Sequence, residues 1–176
     1  NELVVRDKLS GMSVNGSLNL IQRILNNSNE KNLGMTGYPS EFGMYLSIIK
    51  VNKLHKNIKG EFKFVEPEKS IKELKSLYDN FEKCIKSKDE PTSLNELYDL
   101  FSKQPYGLKK GLIPILITAF YMANQGSFAL YNTDEQGKEF LVTEYSQRIC
   151  ERFIHTPGAL KIMFVKIEGQ KQKLLD

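Results

Sequence analysis

The chain has 176 residues, 40% of them apolar and 26% charged, with a formal net charge of +4. These proportions exclude a disordered protein and fit one or two globular domains able to bury real cores. The positive excess is carried mainly by lysines interspersed with Glu and Asp, the arginines being only Arg6, Arg23, Arg148 and Arg152. That mixture predicts a solvated surface rather than a nucleic-acid-binding stripe. Cys84 and Cys150 lack short spacing, so they frame neither a disulfide scaffold nor a metal site, and buried free thiols in a reducing compartment are expected. No basic-then-apolar leader opens the chain, which starts at Asn1 rather than Met and so reads as an excised or processed piece. The longest apolar run, Leu112 to Ala123, falls short of the roughly 20 residues that cross a bilayer, so a cytoplasmic protein without a membrane span is expected.

Leu18, Ile21, Ile24 and Leu25 recur at helical spacing between Gly16 and Asn26, with Ser17 placed to cap the start. The polar, glycine-bearing stretch from Asn26 to Gly37 reads as a loop. Pro39-Ser40-Glu41, with Ser40 placed to cap the start, opens a second helix whose stripe is Phe42, Tyr45, Leu46, Ile49 and Leu54. The period-two run from Gly60 to Val65 predicts a short strand closed by Pro67. Ser70…Glu73 and Ser93…Glu96 are capping-box patterns, in which each side chain satisfies an orphan amide of the first turn. They precede the stripes Ile71, Leu74, Leu77, Tyr78, Phe81, Ile85 and Leu94, Leu97, Tyr98, Phe101, separated by a polar hinge from Ser87 to Pro91.

The breaker-rich turn from Gln104 to Gly111 leads into the apolar helix, expected to start near Lys109 and to end at Asn124 to Gly126 on a left-handed cap. Pro114 falls near its first turn, where the missing amide costs little. Ser127–Asn132 and Lys138–Val142 flank Thr133 to Gly137 as a hairpin or wing. Thr143 is placed to cap a further helix carrying Tyr145, Ile149, Cys150 and Phe153, stopped by Thr156-Pro157-Gly158. A last strand alternates from Leu160 toward Ile167, and Gly169 to Asp176 resembles the opening of another helix. The fold class expected is mainly α with short β-hairpins, an α+β chain containing a winged-helix-like unit. Each half runs from helices to a strand or hairpin, a loose echo compatible with two helix-rich modules. The expected division is residues 1–67, an N-terminal helical module with a short strand; 68–168, the winged-helix-like module; and 169–176, the truncated helix.

A phosphate-binding loop needs a glycine-rich turn followed by Lys and a hydroxyl, and Gly107-Leu-Lys-Lys-Gly111 has the wrong spacing and no hydroxyl. His55 and His155 both fall at expected helix ends, where a cation suits the dipole. No Cys/His pair has zinc spacing, and no carboxylate pair has an apolar setting, so neither a catalytic residue nor a metal site nor a cofactor is expected. The winged-helix order points instead to DNA, yet the helix that would read bases is apolar on every face, with Thr118 its one polar residue between Leu112 and Ala123. The residues left for phosphate contact are Lys109, Lys110, Lys138 and Lys161.

The segment QPYGLKKGLIPILITAFYMANQGSFALYN, followed by EFLV and ERFIHTPGALKIMFVKIEG, resembles a module of very large bacterial P-loop ATPases of anti-phage defence systems, of the BREX type and related restriction-like systems. The preceding YPSEFGMYLSIIKVNKLHKNIKGEFKFVEP resembles what lies upstream of that module, so the likeness spans most of the chain. It implies a parent that binds ATP and a module outside the nucleotide site, with no catalytic residue to carry over. The function expected is a non-catalytic interaction or scaffolding module, its partners other domains of the parent or other defence-system proteins. The alternative is a winged helix that grips DNA phosphates without reading bases.

Overall fold

A computed structural model of the protein describes residues 14–165. The chain is a mixed α+β fold with two small antiparallel sheets. Helix α1 (Val14–Asn26) buries Leu20, Ile21, Ile24 and Leu25, the spacing of a one-sided amphipathic helix. A 3-10 turn at Lys31–Gly34 then drives Leu33 into the core, with Leu33 held at φ +54°. That left-handed conformation is costly for a branched side chain and persists here because Leu33 is completely buried. Helix α2 (Ser40–Met44) runs directly into a π-helical stretch, Tyr45–Lys50, which turns Tyr45, Ile48 and Ile49 inward.

Strands β1 (His55–Ile58) and β2 (Glu61–Phe64) form a two-stranded hairpin. Its two-residue loop, Lys59-Gly60, has both φ values positive (+52° and +91°), the mirror-image turn whose twist matches the strands. Helix α3 (Lys72–Lys86), strand β3 (Thr92–Ser93), helices α4 (Leu94–Ser102) and α5 (Ile113–Ala123), and strands β4 (Phe128–Thr133) and β5 (Glu139–Leu141) follow. Helix α6 (Gln147–His155), a 3-10 turn at Pro157–Ala159 and strand β6 (Leu160–Phe164) complete the described chain. The second sheet has the order β3-β6-β4-β5, every neighbour antiparallel.

Helix α5 is the centre of the molecule. Every residue from Ile113 to Met122 is buried, because α1 and β2 from the first half and α4 and α6 from the second pack around it. Phe120 meets Tyr78, Phe81 and Phe101 at ring-centroid distances of 5.1, 5.5 and 5.9 Å, joining α3, α4 and α5 in one aromatic cluster. Thr118, the one polar side chain there, donates to the Pro114 carbonyl at 2.5 Å and so leaves no orphan hydroxyl. The buried residues of both halves form a single contiguous cluster running from Leu20 to Ile162.

Several local expectations are corrected. Ser17 lies inside α1 rather than capping it, and Ser40 opens α2 without a capping bond. Ser70 makes no cap because α3 begins at Lys72 behind Ile71. The hydroxyl of Ser93 does accept the Asn95 amide, but Glu96 turns away to pair with Lys88, so only half of that box forms. Ser146, not Thr143, caps α6, by accepting the Ile149 amide at 3.3 Å. Helix α5 starts at Ile113, so Lys109 and Lys110 lie in the turn before it and not in its first turn. His55 opens β1 instead of ending a helix, Leu54 precedes that strand, and Thr92–Ser93, between the expected hinge and the expected helix, forms the unexpected strand β3. Cys150 is buried as expected, whereas Cys84 is only half-buried. The expected helix at 169–176 and the end of the last strand beyond 165 lie outside the described residues.

Candidate interaction surfaces

The lysines singled out by sequence stand in unlike settings. Lys109 and Lys110 are exposed in the turn between α4 and α5. That turn is held by Tyr106, whose hydroxyl meets Ser76 at 2.8 Å and accepts from Asn80 at 2.5 Å on α3. Lys138 sits at the wing, its ammonium 5.1 Å from the centre of the Phe140 ring. The wing turn is organised by Asp134, whose carboxylate accepts the Gln136 and Lys138 amides, both at 2.9 Å. Lys161 on β6 is already paired with Glu139 of β5. From Thr133 to Glu139 the wing holds Asp134, Glu135 and Glu139 against Lys138, a net of −2. Such a wing repels phosphate more than it attracts it.

A polar cleft of about 430 Å³ opens where α1 and α2 face the approach to α6, lined by Asn19, Gln22, Arg23, Asn26, Asn27, Glu41, Tyr145 and Gln147. Its floor is an ion pair: Arg23 Nε donates to Glu41 Oε1 at 2.8 Å, and the Glu41 side chain is only 5% exposed. Burial alone would raise the Glu41 carboxyl, but the hydrogen bond from Arg23, a bond from its own backbone amide, the Arg23 charge and the Ser40 hydroxyl together outweigh it and hold that carboxyl below its ordinary value. A carboxylate so firmly ionised can accept hydrogen bonds but is poorly placed to shuttle protons near neutrality. Asn26 bridges the halves, donating to the Tyr145 carbonyl at 3.1 Å, and the Tyr145 hydroxyl meets that of Tyr121 at 2.7 Å.

The β1–β2 hairpin has two chemically different faces. On the inner face the Tyr45 hydroxyl donates to His55 Nδ1 at 3.0 Å, and His55 Nε2 donates to the Ser28 carbonyl at 2.7 Å. Burial pushes the His55 imidazole below its ordinary value, only partly offset by the Ser28 bond, and pushes the Tyr45 phenol up. Both groups are therefore neutral and act as a clasp. Rings continue that clasp outward: Phe64 and Phe62 lie 4.7 and 5.5 Å from His55, Phe42 lies 6.2 Å from Tyr45, and Tyr38, 89% exposed, lies 5.2 Å from Phe42. The outer face presents Lys56, Ile58, Glu61 and Lys63, with Lys56 directly opposite Lys63 in the register. A second hollow, about 540 Å³, lies between β2 and the end of α5, with Ser28, Phe62, Met122 and Gln125 among its lining.

Sequence reasoning passed over both the Arg23–Glu41 pair and the basic hairpin. The first joins residues far apart in the chain and has no local pattern. The second had a signal, lysines recurring between Lys50 and Lys69, but it was diluted by averaging charge over the whole chain. Among the described residues no group of three or more His, Cys, Asp and Glu side chains could hold a metal ion, and no helix is long and apolar enough to cross a membrane. No family model, no curated protein and no solved structure matches the chain.

Proposed function

We propose that this chain is a non-catalytic interaction or scaffolding module with winged-helix-like order, part of a larger cytoplasmic ATP-binding protein of bacterial phage defence. The observation that carries the interaction reading is the burial of α5 on every face. In a DNA-reading winged helix the corresponding helix lays polar side chains against base edges; here α1 and β2 occupy that space. The winged-helix reading is supported by the order α3-β3-α4-α5-β4-β5, with β6 returning between β3 and β4. The setting in a defence ATPase rests on the sequence resemblance alone. Partners on this reading are other domains of the parent or other proteins of the defence system.

The competing reading is phosphate contact through Lys109, Lys110, Lys138 and Lys161, and the acid-rich wing and the Lys161–Glu139 pair weigh against it. Fluorescence anisotropy with duplex DNA at two salt concentrations separates the two, using the wild type and a Lys109→Ala/Lys110→Ala/Lys138→Ala variant. The interaction reading expects no binding that depends on these lysines. Binding that weakens steeply with salt and disappears in the triple variant would overturn it.

A further inference from the structure

The chain's positive charge is not spread evenly. Residues 50–69 hold six lysines and three glutamates, a net of +3 against +4 for all 176 residues. These residues make the β1–β2 hairpin and its flanks, while the wing on the other sheet is acidic. Placing Lys56 directly opposite Lys63 is locally unfavourable, since like charges across a strand pair repel. Compensation is partial: Glu68 serves both Lys56 (2.9 Å) and Lys53 (3.5 Å), and Glu61 lies 3.6 Å from Lys63. These are exposed pairs of small worth. Among the described residues Lys50, Lys59 and Lys69 make no ion pair at all. A local rule broken without full internal compensation is a mark of a functional surface.

The face is basic but not purely so. Ile58, 39% exposed, lies among the lysines of the outer face, and Val51, 60% exposed, lies in the turn that leads into β1. The inner face is fixed by the Tyr45–His55–Ser28 clasp and the rings behind it, so the outer face is a preorganised platform. A nucleic-acid backbone would satisfy the lysines but leave the aliphatic Ile58 unmatched. An acidic protein segment with an apolar stripe answers both features, carboxylates meeting the lysines and aliphatic groups covering Ile58.

We infer that the outer face of the β1–β2 hairpin docks an acidic, amphipathic segment of a partner protein. This rests on the interaction-module reading and names the surface and the partner chemistry for it. The test uses the full chain and two probes, a synthetic helical peptide with one glutamate face and one leucine face, and a duplex DNA. Variants are Lys59→Glu/Lys63→Glu, Ile58→Ser and the off-site control Lys109→Glu/Lys110→Glu, each checked for an unchanged circular-dichroism melt. The expected result is salt-sensitive peptide binding that falls roughly tenfold in the charge-reversal variant and about threefold in Ile58→Ser, with the control unchanged. Ile58→Ser leaves the charge intact, so it tests the surface even where the double variant is unstable. Duplex DNA binding that is lost on charge reversal but indifferent to Ile58→Ser would overturn the inference in favour of a nucleic-acid partner. Binding to neither probe would overturn it outright. Both outcomes leave intact the separate question of Lys109, Lys110 and Lys138, which the DNA titration above decides.

Discussion

His55 and Glu41 are the two titratable groups whose environments differ most instructively. Both are nearly inaccessible, yet one is kept neutral and the other charged. His55 has a hydroxyl and a carbonyl for partners and no countercharge, so protonation would bury an uncompensated cation. Its folded pKa is depressed below the ordinary 6.5, so the unfolded chain takes up the proton first and stability falls as pH drops through 6.5 toward the lower folded value. An NMR titration should place the His55 midpoint below 6.5, and a midpoint at or above that value would contradict the clasp. Glu41 obeys the opposite sign. Its carboxyl is depressed, so its contribution is present above the ordinary 4.5 and is lost as pH falls through the folded value. Replacing Arg23 by Met strands that carboxylate and should cost about 3 kcal/mol by urea denaturation at neutral pH; a loss well under about 1 kcal/mol would mean water already solvates it. Thr92 is an opposite kind of defect, fully buried with an unpartnered hydroxyl on β3. Thr92→Val should therefore stabilise the protein by about 1 kcal/mol, read as a raised urea midpoint.

At the scale of elements, α5 shows why a continuous apolar run is a firm guide to burial. With no polar face it can be stable in water only if every side is covered. Phe120→Ala removes the ring shared by α3, α4 and α5 and should cost about 3–5 kcal/mol, measurable as a large fall in the denaturation midpoint. The same logic made α3, α4 and the β4–β5 hairpin legible, since their stripes and turn residues are local. What escaped was set by distant parts of the chain. Strand β3 has two residues, too few to carry a period, and exists because β6 returns from beyond α6 to pair with it. Strand β1 is mostly polar and is held as a strand by its register with β2 and by the burial of His55. Ser146 prevails over Thr143 as the α6 cap because Tyr145 is drawn out of the helix toward Asn26 and Tyr121. The capping box at Ser70 fails for a similar reason, since Ile71 leaves helical geometry at φ −95°, ψ 76°.

The whole molecule is organised by two asymmetries, one apolar and one of charge. The apolar asymmetry gathers both halves around α5, which α1 encloses on one side. The charge asymmetry leaves one hairpin basic and the other acidic, which a single net charge of +4 conceals. The four lysines legible from sequence turned out to be scattered over a turn, an acid-rich wing and a paired strand, whereas the denser group lay on a hairpin with only one expected strand. On the proposed function, recognition falls to surfaces around α5 and not to α5 itself. Native-state hydrogen exchange in the presence and absence of duplex DNA tests that assignment most directly. The backbone amides from Leu116 to Met122 and those from Leu20 to Leu25 should exchange together at the slowest, globally limited rate, unchanged by DNA. Faster, independent exchange of α1, or added protection of α5 when DNA is present, would contradict it.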